Sequence, residues 1–151
     1  MGYDVRLIDA APTRLLVVRR RASPAELSRI VPAACGAVWN VVRASGIRSA
    51  GRHVAVYLSA AIDLEVGVEV GDDGAAGAHG EAYLSATPAG TAATVTHVGP
   101  YGGLASAHAA VTSWCREHGH GLSGPSWEVY GHGTDDPAKR VTDVFYLVQP
   151  R

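Results

Sequence analysis

The order of elements along this chain repeats, and that repeat is what most narrows the folds open to it. The first half reads strand, strand, helix, strand, strand, and the second half reads the same. Gly46 and Gly119 each end a helix and stand 73 positions apart, as do Tyr57 and Tyr130, which end the strands that follow. Pro12 and Pro88 precede the second strand of each half at a slightly different offset. A duplicated supersecondary unit buries its apolar face against its own copy. The expectation is therefore an α+β fold of two βαββ units related by a pseudo-twofold. An antiparallel sheet and two main helices would surround a central ligand cleft. Residues 1–151 are assigned to a single domain, with repeat 1 at about 1–72 and repeat 2 at about 78–151.

Local signals support each element. Ser23, Pro24 and Glu26 form a capping box with proline at the first helical position, ahead of Leu27, Ile30, Ala34, Val38 and Val41 at helical spacing. Gly46 supplies the left-handed stop, and Pro32 is expected to bend or divide the helix. A second helix is expected at about 103–118, carrying Leu104, Ala107, Val111, Trp114 and Cys115 on its apolar side. The best strand is 62–70, which alternates almost without fault. Others are expected at 5–8, 15–19, 53–58, 81–86, 92–98, 127–130 and 141–148, with a Gly/Ala/Asp-rich connection at 71–80.

Charge and cysteine usage remove several classes of function. A formal net charge of −1 and a pI near 6.6 leave no footprint for nucleic acid. The run Arg19–Arg21 reads as a strand end meeting solvent. No secretion signal, myristoylation pattern or membrane-length apolar run is present, and Cys35 and Cys115 stand alone, as in a cytoplasmic protein. Cys115, Glu117, His118 and His120 lack the paired spacing of a zinc site, so no metal and no cofactor is expected.

Two such units would meet along a groove, a favoured place for a ligand. Aligning the halves at Tyr57 and Tyr130 sets Glu128 against Ala55, a carboxylate against a methyl. Strand parity puts Glu128 and Tyr130 on one face, with Trp127 and Val129 on the other. Parity alone leaves open whether Glu128 faces the groove or water. In the groove its pKa would be pushed upward by desolvation, and it would favour a cation. Trp39, Tyr57, Tyr83, Tyr101, Tyr130 and Tyr146 are the candidate aromatic lining, joined by His53. Trp39, on a helix, also fits ordinary core packing. Asp63, Glu65 and Glu69 share one face of strand 62–70; they read as the solvated face of an edge strand, or else Asp63 or Glu65 supplies a second groove carboxylate.

The segments His97-Val98-Gly99-Pro100-Tyr101, Gly124-Pro125-Ser126-Trp127-Glu128-Val129-Tyr130 and Thr142-Asp143-Val144 resemble the GyrI-like effector-binding domains. That family includes the ligand-binding halves of multidrug-responsive transcription activators as well as stand-alone proteins. The resemblance implies that Glu128 is the pocket glutamate that pairs with lipophilic cations, with Tyr101 and Tyr130 among the stacking aromatics. No residues are left for a helix-turn-helix, so direct nucleic-acid binding is not expected.

Three functions follow from the resemblance. The first is binding of bulky lipophilic aromatic, often cationic, small molecules, with Glu128 as counter-charge. The second is hydrolysis of electrophilic cyclopropane-containing natural products, in which Glu128 would be general base and Tyr101 or Tyr57 a hydrogen-bond donor to the leaving group. The third, an inhibitory contact with DNA gyrase, is implied by the family name alone.

Overall fold

A computed structural model describes residues 3–59, 63–132 and 135–150. Met1, Gly2, Ile62 and Arg151, which enter the expectations above, lie outside the described residues. Among the described residues are eight strands: β1 Arg6–Ala10, β2 Arg14–Arg21, β3 His53–Tyr57, β4 Asp63–Glu69, β5 Tyr83–Ala86, β6 Gly90–Val98, β7 Leu122–Tyr130 and β8 Val141–Val148. Two helices, α1 Leu27–Ala44 and α2 Leu104–Glu117, each follow a single 3-10 turn. At the start of α1 the Glu26 carboxylate accepts from the Ser23 amide at 2.9 Å, the reciprocal half of the capping box. Gly46 and Gly119 take positive φ just beyond the helices, which only glycine adopts at little cost. Pro32 lies inside α1 without dividing it.

The strands form one antiparallel sheet in the order β1-β6-β8-β7-β3-β4-β2-β5. Exchanging β1–β4 with β5–β8 and reversing that order returns the same order, so the topology has twofold symmetry about the β3–β7 pair. The helices obey it too. The buried positions of α1 are Ala34, Val38 and Val42, and those of α2 are Ala107, Val111 and Cys115, each 73 positions later.

Alternation along the strands divides the core. Leu16 and Val18 of β2, with Ala55, Val66 and Val68, pack under α1. Ala93 and Val95 of β6, with Val144 and Val148, pack under α2. The intervening side chains, including Leu15, Val17, Val54, Val56, Trp127 and Val129, form a third cluster on the face without helices. There the Trp127 ring stacks on Phe145 with centroids 5.0 Å apart. Gly67 of β4 is required by close approach, because a Cβ there would fall on the Leu16 carbonyl of β2.

Two expectations about charged strand positions need correction. β4 lies between β3 and β2 and is not an edge; the edges are β1 and β5. Glu65 is consequently buried on the helix-free side, where it accepts from Tyr83 at 2.5 Å and Ser85 at 2.6 Å. Of the arginine run, Arg19 pairs with Asp63 and Arg20 with Glu81.

Leu16→Ala removes a fully buried side chain and is expected to lower unfolding free energy by about 2–5 kcal/mol. Gly67→Ala should cost about 1–3 kcal/mol or more through overpacking. Urea denaturation of both variants checks the assignment.

Candidate functional site: a buried carboxylate between two helices

α1 rests on β2 and β4, and α2 on β6 and β8, so neither helix settles over the central strands β3 and β7. The gap they leave is a cavity of about 1110 Å³. Leu27, Val31 and Pro32 of α1 face Leu104 and Ala105 across it. Pockets for small molecules are commonly concave, mainly apolar, and furnished with a few polar groups.

Glu128 lies on the floor. In the β3–β7 ladder it sits directly opposite Ala55, and in the β7–β8 ladder opposite Val144. Directly paired residues share a face of the sheet, so Glu128 points to the helix side with them. Ala55 is also the residue 73 positions before Glu128, its counterpart in the other half. Glu128 therefore stands on the pseudo-twofold axis. A bulge between Leu122 and Ser126, containing Gly124 at φ 116°, precedes this stretch of β7.

Only 5% of Glu128 is exposed, yet its carboxylate is well provided with donors. Oε1 accepts from the Tyr130 hydroxyl at 2.6 Å and from the Tyr57 hydroxyl at 3.2 Å. These two tyrosines are counterparts in the two halves and close on the carboxylate from either side. Oε2 accepts from His108 Nε2 at 2.6 Å, and His108 Nδ1 lies 2.7 Å from the Tyr146 hydroxyl. An ionised carboxylate only accepts, so the His108 Nε2 carries a proton.

This network reverses the expected pKa of Glu128. Burial pushes the carboxyl upward, but the His108 and Tyr130 hydrogen bonds, the His108 charge and Tyr57 outweigh it and hold the value below the usual glutamate range. Burial and the Glu128 charge raise the hydroxyls of Tyr57, Tyr130 and Tyr146, which stay neutral donors.

The mouth is aromatic. Trp39 and Tyr101 are partly exposed at it, Trp39 tilted against His53 at 6.1 Å and Tyr101 edge-on to Tyr130 at 5.7 Å. The Arg140 guanidinium sits 4.7 Å from the Tyr101 ring centroid. The Tyr101 turn is held by His97, whose ring lies 3.0 Å from the Pro100 carbonyl and 2.8 Å from the Tyr3 hydroxyl. A Cβ at Gly103 would strike the same ring, so glycine is needed there.

The sequence matches the family model described as "GyrI-like small molecule binding domain" over residues 3–149. This chain is a member of that family. As a GyrI-like domain it is similar in structure to the EcmrR C-terminal domain, with a TM-score of 0.81, 22% identity, and full coverage of both chains. In a complex of EcmrR with DNA the match covers 99% of this domain but 58% of that chain, at TM-score 0.77 and 23% identity. SAV2435 bound to tetraphenylphosphonium aligns at TM-score 0.67 and 12% identity, over 99% of this domain and 94% of that chain. No curated protein matches significantly.

Seven of the eight residues expected in the cleft line the cavity: Trp39, His53, Tyr57, Tyr101, Glu128, Tyr130 and Tyr146. Tyr83 does not. It lies on the helix-free side, where burial and its bond to Glu65 push its hydroxyl up to about 12. Glu65 belongs to that same side and is no second groove carboxylate. Sequence reasoning missed His108 and Cys35, which occupy equivalent positions 73 apart on the two helices and both line the cavity. The repeat offset was the available signal, since each lies one position after a buried alanine. Burial pushes the Cys35 thiol up to about 11.

Because its folded-state pKa is lowered, ionised Glu128 stabilises the fold above the ordinary glutamate value, roughly 4.3, and this contribution fades as pH falls through the lower value. Replacing both Tyr57 and Tyr130 by Phe should raise the Glu128 pKa. Carboxyl ¹³C NMR titration reads the shift, and an unchanged value would contradict the donor assignment.

Proposed function

We propose that this GyrI-like domain binds bulky lipophilic aromatic compounds, cations above all, with Glu128 as the counter-charge. One observation carries the reading: a single carboxylate, nearly excluded from water, forms the floor of an apolar cavity with aromatic rings at its mouth. Its three donors use three of its roughly four lone-pair positions and leave one on Oε2. A cation over a favourable ring face gains about 0.5–2 kcal/mol, and an aromatic ligand gains further from buried area. Trp39, Tyr101 and His53 would stack on the ligand, with Tyr57, Tyr130 and Tyr146 behind them at the carboxylate.

Two relatives support the direction. SAV2435, of similar fold, is described bound to tetraphenylphosphonium, a lipophilic aromatic cation. The same fold forms the C-terminal domain of EcmrR, which is also described in a complex with DNA, and this favours a sensing or sequestering role over a metabolic one.

Hydrolysis with Glu128 as general base has weaker support. A carboxylate held below its usual pKa by His108 and two tyrosines is a poor base, and catalysis favours a base tuned toward the working pH. No hydrogen bond links Tyr101 to Glu128; its ring stands against Tyr130 at the mouth.

Calorimetry with tetraphenylphosphonium and with uncharged triphenylphosphine oxide tests the reading. Glu128→Gln should weaken the cation by roughly tenfold or more and leave the neutral compound within about twofold. Trp39→Ala should weaken both alike, because it removes surface and no charge. Equal losses for the two ligands in Glu128→Gln would remove the counter-ion role.

A further inference from the structure

Glu128 is the only carboxylate lining the cavity among the described residues, and one of its two oxygens is held by a histidine. The contacts of that histidine allow two charge states in one geometry. Neutral His108 donates from Nε2 to Glu128 and accepts at Nδ1 from the Tyr146 hydroxyl, so the pair carries a net negative charge. Protonated His108 donates from both nitrogens, the Tyr146 oxygen becomes the acceptor, and the pair is electrically neutral. A tyrosine hydroxyl serves either role by turning its hydrogen, so no heavy atom need move.

The surrounding groups leave this choice to His108. From α1 comes the Cys35 thiol, kept protonated by burial, and from β3, β7 and β8 come Tyr57, Tyr130 and Tyr146, kept neutral in the same way. Arg52 at the wall is occupied by Glu69 at 3.0 Å, with Asp143 at 4.0 Å. His53 and His132 also line the cavity but make no bond to Glu128. Among the side chains bonded to Glu128, His108 is the one of a type that changes charge between about pH 5 and 8.

We infer that His108 determines the charge class of ligand this cavity accepts. Neutral His108 leaves the Glu128 charge to a lipophilic cation. Protonated His108 cancels it and shifts preference to uncharged aromatic compounds. This rests on the binding function proposed above and names the residue that divides its ligands. Linkage makes the effect reciprocal: cation binding and protonation of His108 oppose each other, so uptake of the cation expels a proton.

The test is calorimetric titration of the whole chain with tetraphenylphosphonium from pH 5.5 to 8, in buffers of different ionisation heat, for wild type and His108→Gln. Wild-type affinity should fall toward acid by up to about tenfold per pH unit, the limit for one linked proton, with proton release upon binding. Glutamine still donates to Glu128 but holds no charge, so the variant should lose that slope and bind the cation more tightly than wild type at pH 5.5. Every other titrating group is common to both proteins, so the difference in slope between them isolates His108. Triphenylphosphine oxide should not weaken toward acid in wild type. Binding of the cation with equal pH slopes in the two proteins, or with no proton released by wild type, overturns the inference while leaving the binding function standing. No binding of either compound at any pH overturns both.

Discussion

The antiparallel ladder between β3 and β7 is the constraint on which the rest of the molecule depends. It is the direct pairing that joins the two halves at the centre of the sheet, and it lies on their pseudo-twofold axis. Each helix packs over the strands of its own half, α1 on β2 and β4, α2 on β6 and β8. Two cylinders laid symmetrically about an axis leave the axis itself uncovered. The cavity thus follows from the duplication, before any side chain within it is considered. Its floor is whatever the two central strands present to that side.

What they present is an asymmetry. Ala55 and Glu128 are counterparts, paired with each other across the axis, and one of them has become a carboxylate. A lone buried charge would be costly and would tend to neutralise by a raised pKa. Here the neighbours were differentiated as well. Tyr57 and Tyr130 approach from either half, and His108 stands where the other half has the Cys35 thiol. These donors keep Glu128 ionised in a place where water does not, and they do so from three separate elements: β3, β7 and α2.

Much of this was legible in the sequence. The eight strands, both helices, their glycine stops and the paired tyrosines follow from local chemistry: period-two and helical alternation, a capping box, and positive φ at Gly46 and Gly119. Failures came where an inference required neighbours distant in sequence. β4 read as a half-solvated edge strand because Asp63, Glu65 and Glu69 alternate. The fold places it inside the sheet and gives Glu65 its partners from β5. Tyr83 was grouped with the cleft by residue type, but β5 is an edge strand and the Tyr83 ring turns to the helix-free side. His108 carried no local signal at all, being one polar residue among the alanines of α2.

By itself, then, the sequence determined the elements, their duplication, and that Glu128 and Tyr130 share one face of β7, since these depend on backbone periodicity and on residues a few positions apart. Tertiary structure alone decided the electrical state of that carboxylate. The pKa reflects the balance between burial and donors within about 3 Å; Tyr130 is two residues away, but His108 and Tyr57 come from 20 and 71 residues away in the chain. Sequence reasoning expected burial to win and the pKa to rise. The folded chain brings His108, Tyr57 and Tyr130 to one carboxylate, and the donors prevail.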